Sequence, residues 1–466
     1  MSISQTLVLV FLALILGQIK PLYLRNILVL IGSLLIYYHY QSASPILFLD
    51  FWLPTIAISL GLLLWIAAQS KFSETSKSNL ATFFLTILII LAVSANRHLS
   101  ICCITQTRPP STWTAAIFLT ALILPIALTL SKQPLRSRLA ILMAVLIANF
   151  ILLKNPDLSL LISKAWRSLN QQDIRFSTAN DLSWLGISYI LFRMLHLLID
   201  LRAGRLVQVN LADALNYLFF FPTLLAGPIA RFPPFRDQLD SQPQLHDVID
   251  GGRRVFVGLF RKFVLADSLA LLSLSAQNAF QIQSPWLLWL ALFAYSLRIY
   301  LDFSGYTDIA IGSARLMGIN LPENFNSPYW KTSLIQFWNS WHITLADWFR
   351  SYVFNPMTRK FRTTRSLPSW LTILVPQLTT MILIGLWHSI TPNFLIWGTW
   401  HGIGLFINNR WNTYTKSYPL RIANSLQNIM GWTLTFVFVS VGWVWFLMPN
   451  LSDAIRVLSK LIGLGG

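Results

Sequence analysis

Two histidines stand inside apolar, tryptophan-rich stretches of this chain. His342 lies in Phe337-Trp-Asn-Ser-Trp-His342-Ile-Thr-Leu-Ala-Asp-Trp-Phe-Arg350, and His388 ends Gly385-Leu-Trp-His388, directly after the apolar run Leu371 to Ile384. A charged side chain at membrane depth costs roughly 3 kcal/mol or more, so an ionisable residue there marks a functional site by default. Imidazole is the side chain that accepts and returns a proton near neutral pH without large tuning. The pair therefore points to acid–base chemistry within a membrane.

On one continuous helix, Trp338, Trp341, His342, Leu345, Trp348 and Phe349 would share a face. Asn339, Ser340, Thr344, Asp347 and Arg350 would form the other, with Asp347 and Arg350 paired one turn apart. An interfacial helix with an aromatic belt and an incidental histidine has the same pattern. His388 is harder to explain that way. Gly385 beside it permits a close backbone approach, and Pro392-Asn393 break the chain before the next apolar stretch, which ends in His401-Gly402. His39, His98, His196 and His246 read as satisfied structural residues, and His401 is left open.

Metal chemistry is not expected. The histidines fall on separate segments, without the H-x-x-x-H, H-E-x-x-H or C-x-x-C spacing that zinc sites favour. G-x-S-x-G and P-loop motifs are also missing from the sequence. The economical scheme is direct transfer, with one histidine acting as general base on an acceptor hydroxyl that attacks an activated acyl group.

The elements that must hold these residues are membrane helices. Of 466 residues, 55% are hydrophobic and only 11% charged, about half the charged fraction of a soluble protein. Apolar runs recur at Leu7–Leu16, Ile27–Ile36, Ile56–Ala67, Phe83–Val93, Ala115–Leu130, Ala140–Leu153, Trp286–Ala294 and Trp432–Phe446. They predict an all-α polytopic membrane protein of roughly 11–13 helical segments, some shorter than a full span. The first run has no basic residue before it and more spans after it, so it reads as an uncleaved helix. The net charge of +18 comes from Lys and Arg in short loops, as the positive-inside rule expects, and does not call for a nucleic-acid partner. Such loops (Lys132/Arg136/Arg138, Arg202/Arg205, Arg253/Arg254/Arg261/Lys262 and Arg359/Lys360/Arg362/Arg365) are placed in the cytoplasm. The adjacent Cys102 and Cys103 offer no disulfide framework.

A single membrane domain over 1–466 is expected, with scaffold helices in 1–180, a catalytic core in 181–410 and C-terminal helices in 411–466. Basic residues flank both ends of Leu211–Ala230, and Pro222 and Gly227-Pro228 interrupt it. A re-entrant segment beside an internal cavity would account for both facts. Cysteine accessibility placing positions 205 and 236 on opposite faces would exclude it. Further on, Asp302 and Asp308 sit between apolar runs with Arg298 one turn before Asp302, which reads as a structural Arg–Asp pair within the membrane.

These segments together resemble the membrane-bound O-acyltransferase family, in its bacterial alginate-acetylase and D-alanyl-transferase branch. The likeness runs through most of residues 183–405. It rests on Gly186-Ile-Ser-Tyr-Ile, Phe221-Pro-Thr-Leu-Leu-Ala-Gly-Pro-Ile, Gly252-Arg-Arg-Val-Phe-Val-Gly-Leu-Phe-Arg-Lys, Tyr300-Leu-Asp-Phe-Ser-Gly-Tyr-Thr-Asp, Pro322-Glu-Asn-Phe-Asn-Ser-Pro-Tyr, Phe337-Trp-Asn-Ser-Trp-His, Gly385-Leu-Trp-His and Trp397-Gly-Thr-Trp-His-Gly. Ser389-Ile-Thr-Pro392-Asn departs from the Gly-Ala that often follows the Trp-His in that family. The resemblance implies a ring of helices around a funnel, with His388 as the catalytic histidine and His342 as a second required one.

The expected activity is transfer of an acyl group, acetyl first, from a cytoplasmic thioester (acetyl-CoA or an acyl carrier) to hydroxyls of an extracytoplasmic polysaccharide or envelope glycan. The glycan is reached directly or through a partner extracytoplasmic acyltransferase. Trp341, Asn339, Arg350 and Trp387 are candidate substrate-binding residues. No bound cofactor and no metal are expected, and the location is the plasma (inner) membrane. D-alanyl transfer from a carrier protein to a teichoic-acid-like polymer is the alternative within the class. Outside it stands a transporter or glycan flippase using a buried histidine as proton relay.

Overall fold

The computed structural model describes residues 2–69, 76–98, 104–363, 368–418 and 423–464. Cys102, Cys103 and Arg365 lie outside the described residues. Within them the chain is helical, with one isolated antiparallel bridge, Phe325 to Trp341. Eight helices are long and apolar enough to cross a membrane: Leu22–His39, Leu49–Ala68, Lys77–His98, Thr112–Ser131, Leu135–Lys154, Pro285–Arg315, Leu371–His388 and Asn424–Leu447. Ile3–Gly17 is a shorter apolar helix. The larger number read from sequence includes such short segments. Ser76 and Ser111 cap their helices by accepting from the amides of Asn79 and Thr114, satisfying donors that a lipid environment would leave orphaned.

Backbone packing groups the chain into two compact units, Met1–Val255 with Ala310–Leu321, and Phe256–Ile309 with Pro322–Gly466. In the first, buried guanidiniums serve irregular backbone. Arg193 donates to the carbonyls of Tyr217 (3.1 Å), Leu218 (2.9 Å) and Thr223 (2.7 Å) and to the Thr223 hydroxyl (2.5 Å). The apolar stretch they stabilise is no spanning helix. Leu211–Phe219 is a nine-residue helix followed by the single turn Phe221–Thr223 and non-helical chain. At 1.5 Å per residue it covers about 14 Å, short of a bilayer's hydrocarbon core. His196, in the same unit, accepts from the Phe232 amide at 3.0 Å, the satisfied role expected of it. Asp181 anchors the loop before Gly186: it accepts from Arg167 through two nitrogens (3.1 and 3.0 Å), Ser163 (2.6 Å) and Thr178 (2.7 Å).

The second unit carries both histidines of interest. Its helix Leu371–His388 packs on Pro392–Ser417 at very short range. A Cβ added at Gly385 would meet the Phe394 carbonyl oxygen at 2.2 Å, and one at Gly398 the Met381 oxygen at 2.5 Å. Only glycine permits that approach.

Two expectations are corrected in this unit. Residues 338–350 do not form one helix: Leu334–Trp338 and Ile343–Phe349 are separate, and His342 between them adopts a left-handed conformation (φ 44°, ψ 52°). Ser340 and Thr344, assigned to a polar outer face, are buried. The break arises because Asn324–Asn326 clips onto this loop, with Ile343 N donating to Asn324 O and Asn326 N to Ser340 O, both at 3.0 Å. The acidic residues of Pro285–Arg315 also find other partners. Asp308 pairs with Arg261 at 2.6 Å and Asp302 with Lys262, while Arg298 reaches the Ser273 hydroxyl at 3.5 Å. Arg261 and Lys262 come from a π-helical segment, Phe260–Ala266, distant in sequence from the acids.

Candidate active site

His388 is the last residue of its helix, so its ring clears the backbone ladder and enters a small chamber. Phe394 stacks on it at 5.6 Å, and Phe446 (4.8 Å), Trp397 (5.7 Å) and Trp387 (4.5 Å) meet it edge-on. His342 lines the same chamber and is 3% exposed. Its ring meets Phe303 at 4.8 Å and Trp387 at 6.2 Å. The chamber's volume is about 50 Å³, and Trp338, Trp341, Leu345, Ile384 and Trp443 complete much of its wall. Two imidazoles thus face one narrow space walled mainly by aromatic side chains.

The remaining candidates divide. Trp341 is in the chamber wall, stacked on Phe337 at 5.6 Å and tilted against Trp443 at 5.2 Å. Trp387 touches both histidines through its ring. Asn339 and Arg350 lie elsewhere, lining a larger cavity of about 400 Å³ with Gln377, Thr380 and Asn409. Arg350 there donates to Asn339 (2.6 Å) and Asp347 (2.7 Å). Trp338 and Ile384 belong to both walls, so the two spaces are separated by single side chains.

The geometry brings in three further residues, two that sequence reasoning gave no role and His401, which it left open. Trp397, 1% exposed, lines the chamber, and its indole N–H has no hydrogen-bond partner among the described residues. His401 accepts from the Trp338 indole at Nδ1 (3.4 Å), so its hydrogen resides on Nε2 and it buttresses the shared wall. Asn324, fully buried, contacts His342 Nδ1 at 3.1 Å. All three occur in motifs visible in the sequence, but their partners lie 18 to 63 residues away, beyond the reach of local periodicity.

Apolar spans, with two histidines facing one small chamber, define a multi-pass helical membrane protein. Residues 33–448 match the model of MBOAT, the membrane-bound O-acyltransferase family, and the chain belongs to that family. It is 35% identical over 289 residues to the probable alginate O-acetylase AlgI of Pseudomonas syringae pv. tomato, covering 60% of this chain and 52% of the relative. To the teichoic acid D-alanyltransferase of Bacillus subtilis it is 30% identical over 298 residues, 62% of this chain and 75% of that one. The peptidoglycan O-acetyltransferase of Helicobacter pylori is 33% identical over 259 residues, 54% and 47% of the two chains. The chain spans about half the length of the alginate O-acetylases it matches.

Proposed function

We propose that this protein is an inner-membrane O-acyltransferase that moves an acetyl group from a cytoplasmic thioester to a hydroxyl of an extracytoplasmic polysaccharide or envelope glycan. The observation that carries it is the placement of His342 and His388 on one small apolar chamber. His388 takes the proton of the acceptor hydroxyl as its oxygen attacks the thioester carbonyl. The tetrahedral oxyanion collapses, the carbon–sulfur bond breaks, and the imidazolium returns the proton to sulfur, leaving an ester and a thiol. Such a base contributes typically 10²- to 10⁴-fold. The buried Trp397 N–H, without a partner among the described residues, is a donor available to the oxyanion.

Chamber size supports acetyl over D-alanyl. A water-sized group needs about 10–15 Å³, so about 50 Å³ holds about four such groups: an acetyl's three heavy atoms and the attacking oxygen. D-alanyl adds two more heavy atoms, one of them an ammonium nitrogen, and among the described residues no carboxylate lines this space. Asn339 and Arg350, in the larger cavity, are assigned to the body of the donor.

The test measures ester-linked acyl groups released by mild base from envelope and secreted polysaccharide. A deletion strain is complemented with wild type or His388→Ala. Loss of acetate in the deletion and the variant alike supports the reading. Release of D-alanine would select the other transferase chemistry, and unchanged acyl content would refute O-acylation in favour of transport.

A further inference from the structure

Asn324 sits on the segment whose backbone clips the His342 loop, and its side chain faces inward with 0% exposure. Its Oδ1 is 3.1 Å from His342 Nδ1, 3.2 Å from the Thr344 amide nitrogen and 2.9 Å from the Thr344 hydroxyl. A backbone amide can only donate, so the amide atom facing Thr344 must be the oxygen. The same oxygen faces His342 Nδ1, which must then carry the imidazole hydrogen. Turning the amide over would set its NH₂ against the Thr344 N–H. The present orientation persists although Nδ2 is buried and has no partner among the described residues. The ring's other nitrogen, Nε2, is likewise buried and unpartnered among them.

We propose that Asn324 is a positioning residue that locks His342 in the Nδ1–H tautomer, so that its Nε2 lone pair stands as an acceptor in the chamber shared with His388. The role rests on the acyl-transfer reading; the tautomer does not. When His388 takes the hydroxyl's proton, a cation forms in an apolar space. Among the lining residues, His342 is the one other titratable group. The elements packed on it bring Phe303, Asn324, Thr344 and Trp387, none of which titrates near neutrality. Its fixed lone pair stabilises the imidazolium until the proton passes to the thiolate. The opposite tautomer would point an N–H at that cation and repel it. Asn324 thereby acts on the reaction without touching substrate.

The experiment uses the full chain in lipid nanodiscs, labelled with ¹⁵N-histidine, and acetyl-CoA as donor. The wild-type spectrum should contain a neutral imidazole with protonated Nδ1 and bare Nε2 that disappears in His342→Asn. Asn324→Leu should mix the tautomers and lower kcat about 10²-fold with KM for the donor unchanged. Asn324→Asp, which keeps an acceptor at the same place, should restore the tautomer and much of the rate. Its carboxylate should also move the acid limb of the kcat profile to higher pH. A wild-type His342 protonated on Nε2 overturns the proposal, and that spectrum needs no variant to fold. So does Asn324→Leu with unaltered spectrum and kcat. If His342→Asn transfers acyl groups at the full rate, the catalytic role falls while the tautomer assignment stands.

Discussion

Replacing Gly385 by alanine tests whether the tight pairing of Leu371–His388 with Pro392–Ser417 sets the position of His388. The new Cβ would lie 2.2 Å from the Phe394 carbonyl oxygen, against the 3.4 Å of ordinary contact, so about 1.2 Å of separation is needed. The opposing atom is backbone and cannot swing aside. Overpacking of this kind costs typically 1–3 kcal/mol. His388 is one turn beyond Gly385 on the same helix and moves with it, while Phe394, which stacks on its ring, is the residue pushed away. Misplacement of a reacting group by about 1 Å costs about 10²-fold in rate. The assay is single-turnover acyl transfer from acetyl-CoA in nanodiscs, with the thermal midpoint measured on the same samples. Gly252→Ala is the control, because nothing lies within 4 Å of its Cβ and a helical Gly→Ala change stabilises by about 0.4–1 kcal/mol. Gly385→Ala with wild-type rate and midpoint would refute the packing argument. A lowered midpoint with a wild-type rate would refute its link to His388.

Trp397→Phe keeps the ring and removes only the N–H, so kcat should fall about 10²- to 10³-fold with little change in thermal midpoint; an unchanged kcat removes Trp397 from the oxyanion site. Arg193→Leu orphans three carbonyls at about 1–3 kcal/mol each, and detergent-solubilised protein should unfold many degrees earlier; a wild-type midpoint would contradict that. Burial pushes the Asp181 carboxyl up, but hydrogen bonds from Ser163, Thr178 and Arg167 outweigh it and hold the group below the usual carboxylate range. Its stabilisation is therefore complete above the unfolded-state value of about 4 and is lost as pH falls through the lower folded-state value. Thermal midpoints across that acid window should decline in wild type and lose this component in Asp181→Asn. Parallel curves would show that Asp181 is not the group responsible.

The position of the histidine pair was legible because polar residues inside long apolar runs stand out against their surroundings, and the close approach at Gly385 because a glycine there has no side chain to hold a neighbouring helix off. Both signals are local. The helix expected over 338–350 failed for a reason no periodicity can register: one residue, His342, turns left-handed under the grip of a segment some 18 positions earlier. The Arg298–Asp302 pairing failed similarly. Spacing of one turn made it plausible, yet Lys262, 40 residues from Asp302, takes that acid. Asn324 was in plain view within Pro322-Glu-Asn-Phe-Asn, but an asparagine in a loop motif carries no mark of the ring it will face. Side-chain partners across helices are set by tertiary packing, and the sequence pattern reports chiefly which faces must be buried.

The left-handed turn at His342 has a consequence for how the position can vary. Few side chains accept positive φ; asparagine, aspartate and histidine do so several times more readily than the rest. On the proposed mechanism the residue meets two demands, one conformational and one chemical, and alanine scanning confounds them by failing both. Asparagine satisfies the corner while discarding the imidazole, so the difference between the His342→Asn and His342→Ala proteins isolates the backbone's share. Among natural variants of this loop, substitutions should be drawn from the short roster of corner-tolerant residues even where the chemistry has been lost.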